Sequence, residues 1–299
     1  MGYRYRLSGY VFEIDTPLRE LPEVNDEPEC FLSVRRDISE KIPAEALSAE
    51  SYLNADLALT CIQREQFGFV AIWNNNTIEY TPASHLDDMG ITIQLLGTIA
   101  MIMSATMGYV SLHAASVVID NRAVLFCGAS GVGKSTLTAH FYSKGYQVLS
   151  DDVTTLRITA PGKITAYPSV PRIKLSDESL ALIGRSGDGL QEINFETRKY
   201  ILPITEITGS NGYELSAIIF PLYKDGHMIL EQIGGFSNKL LVAKHLYRKR
   251  LAKLLYPITQ RRELFLALAA HIPMYHFYRP CNMATMQESL DYIEMQLNR

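Results

Sequence analysis

The sequence predicts an α/β fold, a mixed sheet with flanking helices preceded by a smaller β-rich region. Three observations predict it. Short alternating segments and turn residues dominate the first 80 or so positions. From about residue 89 onward, strand-length apolar runs alternate with helical stretches. Between two of those elements lies the octet Gly128-Ala-Ser-Gly-Val-Gly-Lys134-Ser135, whose pattern has physical meaning only between a strand and a helix.

Composition agrees with a folded chain. With 47% hydrophobic and 20% charged residues over 299 positions, there is core enough for one large or two modest domains. The formal net charge of −4 gives no general pull toward nucleic acid or an anionic membrane. Cys30, Cys61, Cys127 and Cys281 are scattered without a C-x-x-C pair, which argues against zinc or a disulfide framework and fits a reducing cytoplasm. Met1 to Leu7 has no apolar core segment, so no secretory signal is expected. Arg6 stands where N-myristoylation prefers Ser or Thr.

The elements follow in order. Tyr3–Leu7 alternates and Tyr10–Ile14 follows as a second strand. Residues 13–29 hold seven acids and three prolines and read as a solvated connector. Phe67–Trp73, three asparagines and Thr77–Tyr80 make a hairpin. A domain boundary is expected at 88/89. Met89 to Ile119 contains no Asp, Glu, Lys or Arg, and its helical part is long enough to span a membrane. Because Gln94 and several Ser and Thr residues interrupt it, and a strand toward a polar site follows directly, it reads as a buried helix. Ser111–Ile119 and Ala123–Cys127 form a hairpin about 120–122, and pairing Ile119 with Ala123 sets His113 opposite Ala129. Ser135 to Lys144 reads as a helix ended by Gly145, Tyr146–Ser150 as a strand, and residues 184–199 as a flexible loop. Arg261–Ala270, Ile272–Tyr278 and Met283–Leu297 read as helix, strand and final helix.

The octet gives the chemistry. A glycine loop entering a helix offers free N–H donors and the positive end of the helix dipole, both of which favour a polyphosphate. Gly128, Ala129, Ser130, Gly131, Val132, Gly133, Lys134, Ser135 and Thr136 are therefore the expected nucleotide-binding residues. Lys134 would reach the β- and γ-phosphates of ATP, and the Ser135 hydroxyl would hold Mg²⁺. One helix later comes Asp151-Asp152, at the same edge of the sheet as the loop. Such a pair divides the work, Asp152 holding Mg²⁺ and Asp151 accepting the proton of an attacking hydroxyl. His113 would orient Asp151 or touch the γ-phosphate. Arg172 is the expected partner for charge on the transferred phosphoryl group, with Lys174, Arg198 and Lys199 as further candidates. The run Lys244–Lys253 is basic and reads as a solvated helix face.

His113, the loop through Ser135 and the early Asp151-Asp152 pair resemble the HPr serine kinase family. The resemblance spans about residues 95–180. Leu112-His-Ala-Ala-Ser116 and Pro171-Arg-Ile-Lys-Leu175 resemble more narrowly the HPr-kinase-like enzymes of peptide biosynthesis clusters, which phosphorylate the C-terminal serine of a lasso peptide precursor. The resemblance implies an HPr-kinase-like P-loop kinase domain over 89–299, ATP and Mg²⁺ as cofactors, a peptide substrate with an acceptor serine, and a homo-oligomer; the composition and patterning read above add a β-rich domain over 1–88, a cytoplasmic location and no membrane span. Thr136 stands where HPr kinases carry Glu, and the downstream block associated with their reverse reaction is not recognisable. The alternatives are a kinase acting on an HPr-type carrier, a simple ATPase and a nucleotide-sensing module.

Overall fold

The structure, a computed structural model, describes residues 2–56, 58–194, 198–204, 212–224, 226, 228–282 and 285–298. The chain divides into two compact units, Met1–Tyr109 and Val110–Arg299.

In the first unit seven strands form one sheet: β1 (Tyr3–Leu7), β2 (Tyr10–Ile14), β3 (Cys30–Val34), β4 (Ser51–Asn54), β5 (Leu59–Arg64), β6 (Gly68–Trp73) and β7 (Thr77–Pro82). They lie in the order β1-β2-β3-β7-β6-β5-β4. The β6–β7 hairpin forms where expected, with Asn74 and Asn75 supplying left-handed turn residues at φ +50° and +61°. The acidic stretch after β2 has little regular structure, its one bridge being Tyr5 to Glu23.

The helix Asp88–Thr106 completes this unit, with a π-type turn over Leu95–Ile99. By length and composition it could cross a membrane, and 56% of its most apolar window is buried inside the protein. Ala100 to Ala105 are all buried, and the Tyr10 hydroxyl donates to the Ala100 carbonyl at 3.0 Å. The sequence reading puts this helix in the second domain, whereas its contacts place it in the first unit.

The second unit holds an eight-stranded mixed sheet: β8 (Val110–Ile119), β9 (Arg122–Cys127), β10 (Gln147–Ser150), β11 (Val153–Ala160), β12 (Lys163–Tyr167), β16 (Tyr213–Tyr223), β17 (Ile229–Gln232) and β18 (Met274–Arg279). A smaller sheet joins β13 (Arg172–Leu175), β15 (Arg198–Pro203) and β14 (Gln191–Asn194). The expected loop over 184–199 is thus partly strand, with 195–197 outside the described residues.

Strand β8 is the organiser. Its C-terminal half pairs antiparallel with β9 on one side and β10 on the other, and its N-terminal half pairs with β11. Strands β9 and β10 therefore run the same way, and the Lys134–Ser143 helix joins them. The core on this side packs Phe126, Leu137, Phe141, Ile219, Phe277, Leu290 and Ile293 between sheet and helices. Phe126 stacks on Phe141 at 5.7 Å and Phe277 on Tyr292 at 6.1 Å. Burying each such ring is worth about 1.5–3 kcal/mol, so the two helices are fixed against the sheet by side chains far from any polar site. The final helix is Met286–Leu297, with 283–284 outside the described residues. The basic run is helical only over Lys249–Leu255, because Arg248 takes a left-handed φ of +46° and breaks it from the turns over Leu240–His245.

Candidate active site

Strands β9, β16 and β18 run parallel, so Cys127, Tyr223 and Arg279 all end at one edge. Ligands in α/β sheets gather at such an edge. The β8–β9 hairpin closes with two residues, Asp120 and Asn121, at φ +49° and +59°. Both tolerate the left-handed region that this turn requires. Ile119 therefore pairs with Arg122, not Ala123, and Ala114 with Cys127. One further step in that register sets His113 opposite Gly128, a residue short of the expected Ala129, and still at the mouth of the loop.

The loop itself is shaped by Gly131 and Gly133, at φ +84° and +88°. Gly133 is the N-cap of the Lys134–Ser143 helix and contributes no side-chain cap, so the first-turn amides stay available to a ligand. A Cβ at Gly133 would collide with Nη2 of Arg279. Arg279 is only 1% exposed. Its Nη2 donates to the Val132 carbonyl at 2.8 Å, and its guanidinium lies 4.8 Å from the Tyr223 ring centre. The Tyr223 hydroxyl in turn donates to the Gly131 carbonyl at 2.9 Å. Arg279 Nε and Nη1 are buried without a partner among the described residues.

Lys134 Nζ donates to the carbonyls of Gly128 and Ala129, both at 3.0 Å, and lies 3.0 Å from His113 Nε2. An ammonium can only donate, so Nε2 is the acceptor and the proton of neutral His113 sits on Nδ1. That Nδ1 faces Asp152 Oδ1 at 3.2 Å, and Lys174 Nζ reaches Asp152 Oδ2 at 3.1 Å. His113 also stacks on Tyr247, with ring centres 6.4 Å apart. Burial works against the Asp152 charge, but the His113 hydrogen bond and the Lys174 ammonium outweigh it and hold its carboxyl well below the usual carboxylate range. Burial pushes Lys134 below the ordinary lysine value, with Asp152 opposing.

Asp151 turns the other way, into the floor, where it is 7% exposed. Its Oδ2 accepts the Lys174 backbone N–H at 2.8 Å, while Oδ1 is buried without a partner among the described residues. Burial raises its pKa, the Lys174 N–H opposes, nearby Asp152 adds to the rise and the Ser135 side chain opposes. The expected pairing of His113 with Asp151 is therefore not what the structure shows, because the imidazole meets Asp152. An unpartnered carboxylate oxygen beside a serine hydroxyl is an oxygen donor set suited to a hard divalent cation such as Mg²⁺.

A cavity of about 930 Å³ gathers these groups: His113, Ser130, Gly131, Gly133, Lys134, Ser135, Thr136, Asp151, Asp152, Lys174 and Lys199 line it. Thr136 Oγ1 is tied to Ser179 Oγ at 2.8 Å. Gly128, Ala129 and Val132 shape the loop from behind through the carbonyl contacts above. Arg172 is buried at the start of β13 and is not among the lining residues, so a direct part in phosphate binding is not supported there. Arg198 faces outward, 3.2 Å from Glu192 and over the Tyr200 ring.

No family model matches the chain, and no curated protein matches it. Among solved structures it is similar to the HPr(Ser) kinase/phosphatase from Coxiella burnetii. That likeness is 16% identical, covers 62% of this chain and 92% of the other, and has a TM-score of 0.32. A superposition this loose leaves the site to be read from its own geometry. Arg279, Tyr223 and Tyr247 join the site from parts of the chain where no motif points to them. The one sequence signal is that β18 ends in a charged residue, Arg279, directly before Pro280.

Proposed function

We propose that this chain is an ATP-dependent kinase that transfers the γ-phosphoryl group to a serine hydroxyl of a peptide, the C-terminal serine of a lasso peptide precursor being the acceptor its sequence resemblance suggests. The observation that carries the reading is the unbroken line Lys134–His113–Asp152, at 3.0 and 3.2 Å, beside a glycine loop at a helix N-terminus.

On this reading the loop amides and Lys134 bind the phosphates. Ser135 and Asp151 would hold Mg²⁺, which supplies charge neutralisation at the phosphates when bound. As Lys134 leaves the Gly128 and Ala129 carbonyls for a phosphate, it releases His113 Nε2. The Asp152–His113 pair then orients the acceptor hydroxyl and takes its proton as the new O–P bond forms and the bond to ADP breaks. Little basicity is needed, because phosphoryl transfer leans on positioning and charge more than on proton abstraction. Lys174 and Lys199 add positive charge at the same mouth. The two neighbouring carboxylates thus take opposite roles from those the sequence alone suggests, each set by its surroundings.

The test is intact-mass spectrometry after incubation with ATP and Mg²⁺, using a peptide ending in serine, an HPr-type protein and a no-acceptor control. One phosphate on the peptide serine, lost by about 10²–10⁴-fold in rate in Asp152→Asn with nucleotide affinity retained, supports the reading. Phosphate on the HPr-type protein alone replaces the substrate. Nucleotide binding with no acceptor modified refutes the kinase.

A further inference from the structure

Residues 232–262 contain eight lysines and arginines and no Asp or Glu, in a chain whose formal net charge is −4. Lys244, Arg248, Lys249, Arg250, Lys253 and Arg262 are exposed. No ion pair links any of them to an acid among the described residues. Elsewhere several surface cations are paired, as at Arg4–Glu13, Arg122–Glu214 and Arg198–Glu192. An ordinary solvated helix face would intersperse the two signs. Here a single-sign field has been built and left open.

The field surrounds a groove of about 350 Å³. Leu246 and Phe265 form its apolar floor, and Ile258 stands on its rim with Lys249, Lys253 and Arg262. Ile258 is 73% exposed, an unusual position for a large aliphatic side chain in the midst of charge. The groove also reaches the catalytic pair through the backbone. Leu246 bridges Leu112, and the next residue, Tyr247, donates its N–H to the Ser111 carbonyl at 3.0 Å and stacks its ring on His113. Floor and catalytic pair are therefore separated by one step of chain.

We propose that this groove docks an acidic, extended segment of the peptide substrate, seating one apolar side chain on the floor and two or three carboxylates on the rim, so that the acceptor serine a few residues away meets His113 and Asp152. The proposal rests on the kinase reading above and names its substrate class. The apolar floor favours a peptide over a nucleic acid, whose contacts with such a rim would be phosphate alone. Charge complementarity of this kind sets specificity and association rate.

Fluorescence anisotropy of labelled peptides tests it. The probes are a twelve-residue peptide with one serine flanked by leucine and four Asp or Glu, the same peptide with lysines in their place, and a labelled DNA oligonucleotide, with vesicles of anionic phospholipid as competitor. The expected result is at least roughly tenfold preference for the acidic peptide, weakening with salt and lost in Lys249→Glu/Lys253→Glu/Arg262→Glu. The milder Lys249→Gln/Lys253→Gln should weaken binding less, and a melt of each variant checks folding. Equal binding of the two peptides, unaltered binding by the folded variants, tighter binding of the oligonucleotide, or displacement by vesicles would each overturn the proposal. A fluorescent ATP analogue titrated in parallel separates the two readings. Nucleotide binding without acidic-peptide preference removes the docking site alone, whereas preference without phosphate transfer to any peptide removes the kinase alone.

Discussion

Replacing Arg279 by Met separates the stability of the fold from the shape of its phosphate loop. The arginine makes a charged hydrogen bond to the Val132 carbonyl, worth about 1.5–3 kcal/mol, reaches the Tyr223 hydroxyl at a long 3.5 Å, and lies over the Tyr223 ring for about 1–2 kcal/mol more. Against this, Nε and Nη1 are buried without partners, each costing about 1–3 kcal/mol. Methionine is of similar length and carries no donors, so losses and relief nearly cancel in global stability. They do not cancel at the loop. The Arg279–Val132 and Tyr223–Gly131 contacts hold the two carbonyls at its glycine-rich turn, and losing the first alone weakens nucleotide binding by about 10–150-fold. Urea unfolding should place the variant within about 2 kcal/mol of wild type with an unchanged m-value. Titration with a fluorescent ATP analogue should show the affinity loss. Arg279→Met that keeps full nucleotide affinity but loses several kcal/mol of stability would show Arg279 to be a packing residue only.

Other perturbations follow from the same geometry. Gly133→Ala forces a Cβ into Arg279 Nη2 at φ +88° and should abolish nucleotide binding, while adding Arg279→Met should return part of it; simple additivity in that double-mutant cycle would deny the contact. Asp151 has a folded pKa raised by burial, so its charge costs stability at neutral pH, and Asp151→Asn should melt higher than wild type at pH 7 yet bind Mg²⁺–nucleotide less tightly; a lower melting temperature would count against the buried-charge assignment. His245 is held down to about 4 from 6.5, chiefly by burial and then by Lys134, His113 and Lys244. Its contribution is therefore present above pH 6.5 and lost as pH falls toward 4, by at most about 3 kcal/mol. Urea midpoints at pH 7.5 and 4.5 should diverge less in His245→Gln than in wild type.

Local chemistry made much of this legible. The octet 128–135, the Asp151-Asp152 pair and His113 carry their own steric and electrostatic signals, and the fold brings all three to one cavity. The hairpin over 67–80 and the helix after the loop were legible because asparagine turns and glycine stops act over a few residues. Arg279 was not, since nothing within its own strand says that a loop 146 residues earlier will need a guanidinium behind it. The basic run could be seen, but not that Arg248 would break its helix and lay Tyr247 against His113.

The division between the two aspartates was beyond reach for a sharper reason. Adjacent residues leaving a strand point to opposite sides, so one of the pair must enter the floor and the other the mouth. Which does so depends on strand register: β11 pairs Val153 with His113, and this sets Asp152 beside the imidazole. A register slip of one residue would exchange their faces, and with them the acid that meets the imidazole. The hairpin turn shows how small the deciding margin is, since Asp120-Asn121 closes with two residues where three were expected. Lys174 then reinforces the outcome with a single residue, its ammonium on Asp152 and its backbone N–H on Asp151. One carboxylate is thereby kept charged at the cavity mouth and the other is driven toward neutrality unless a cation meets it. The chemistry of the pair is consequently a property of the sheet, and the motif only guarantees that two acids are present to be sorted.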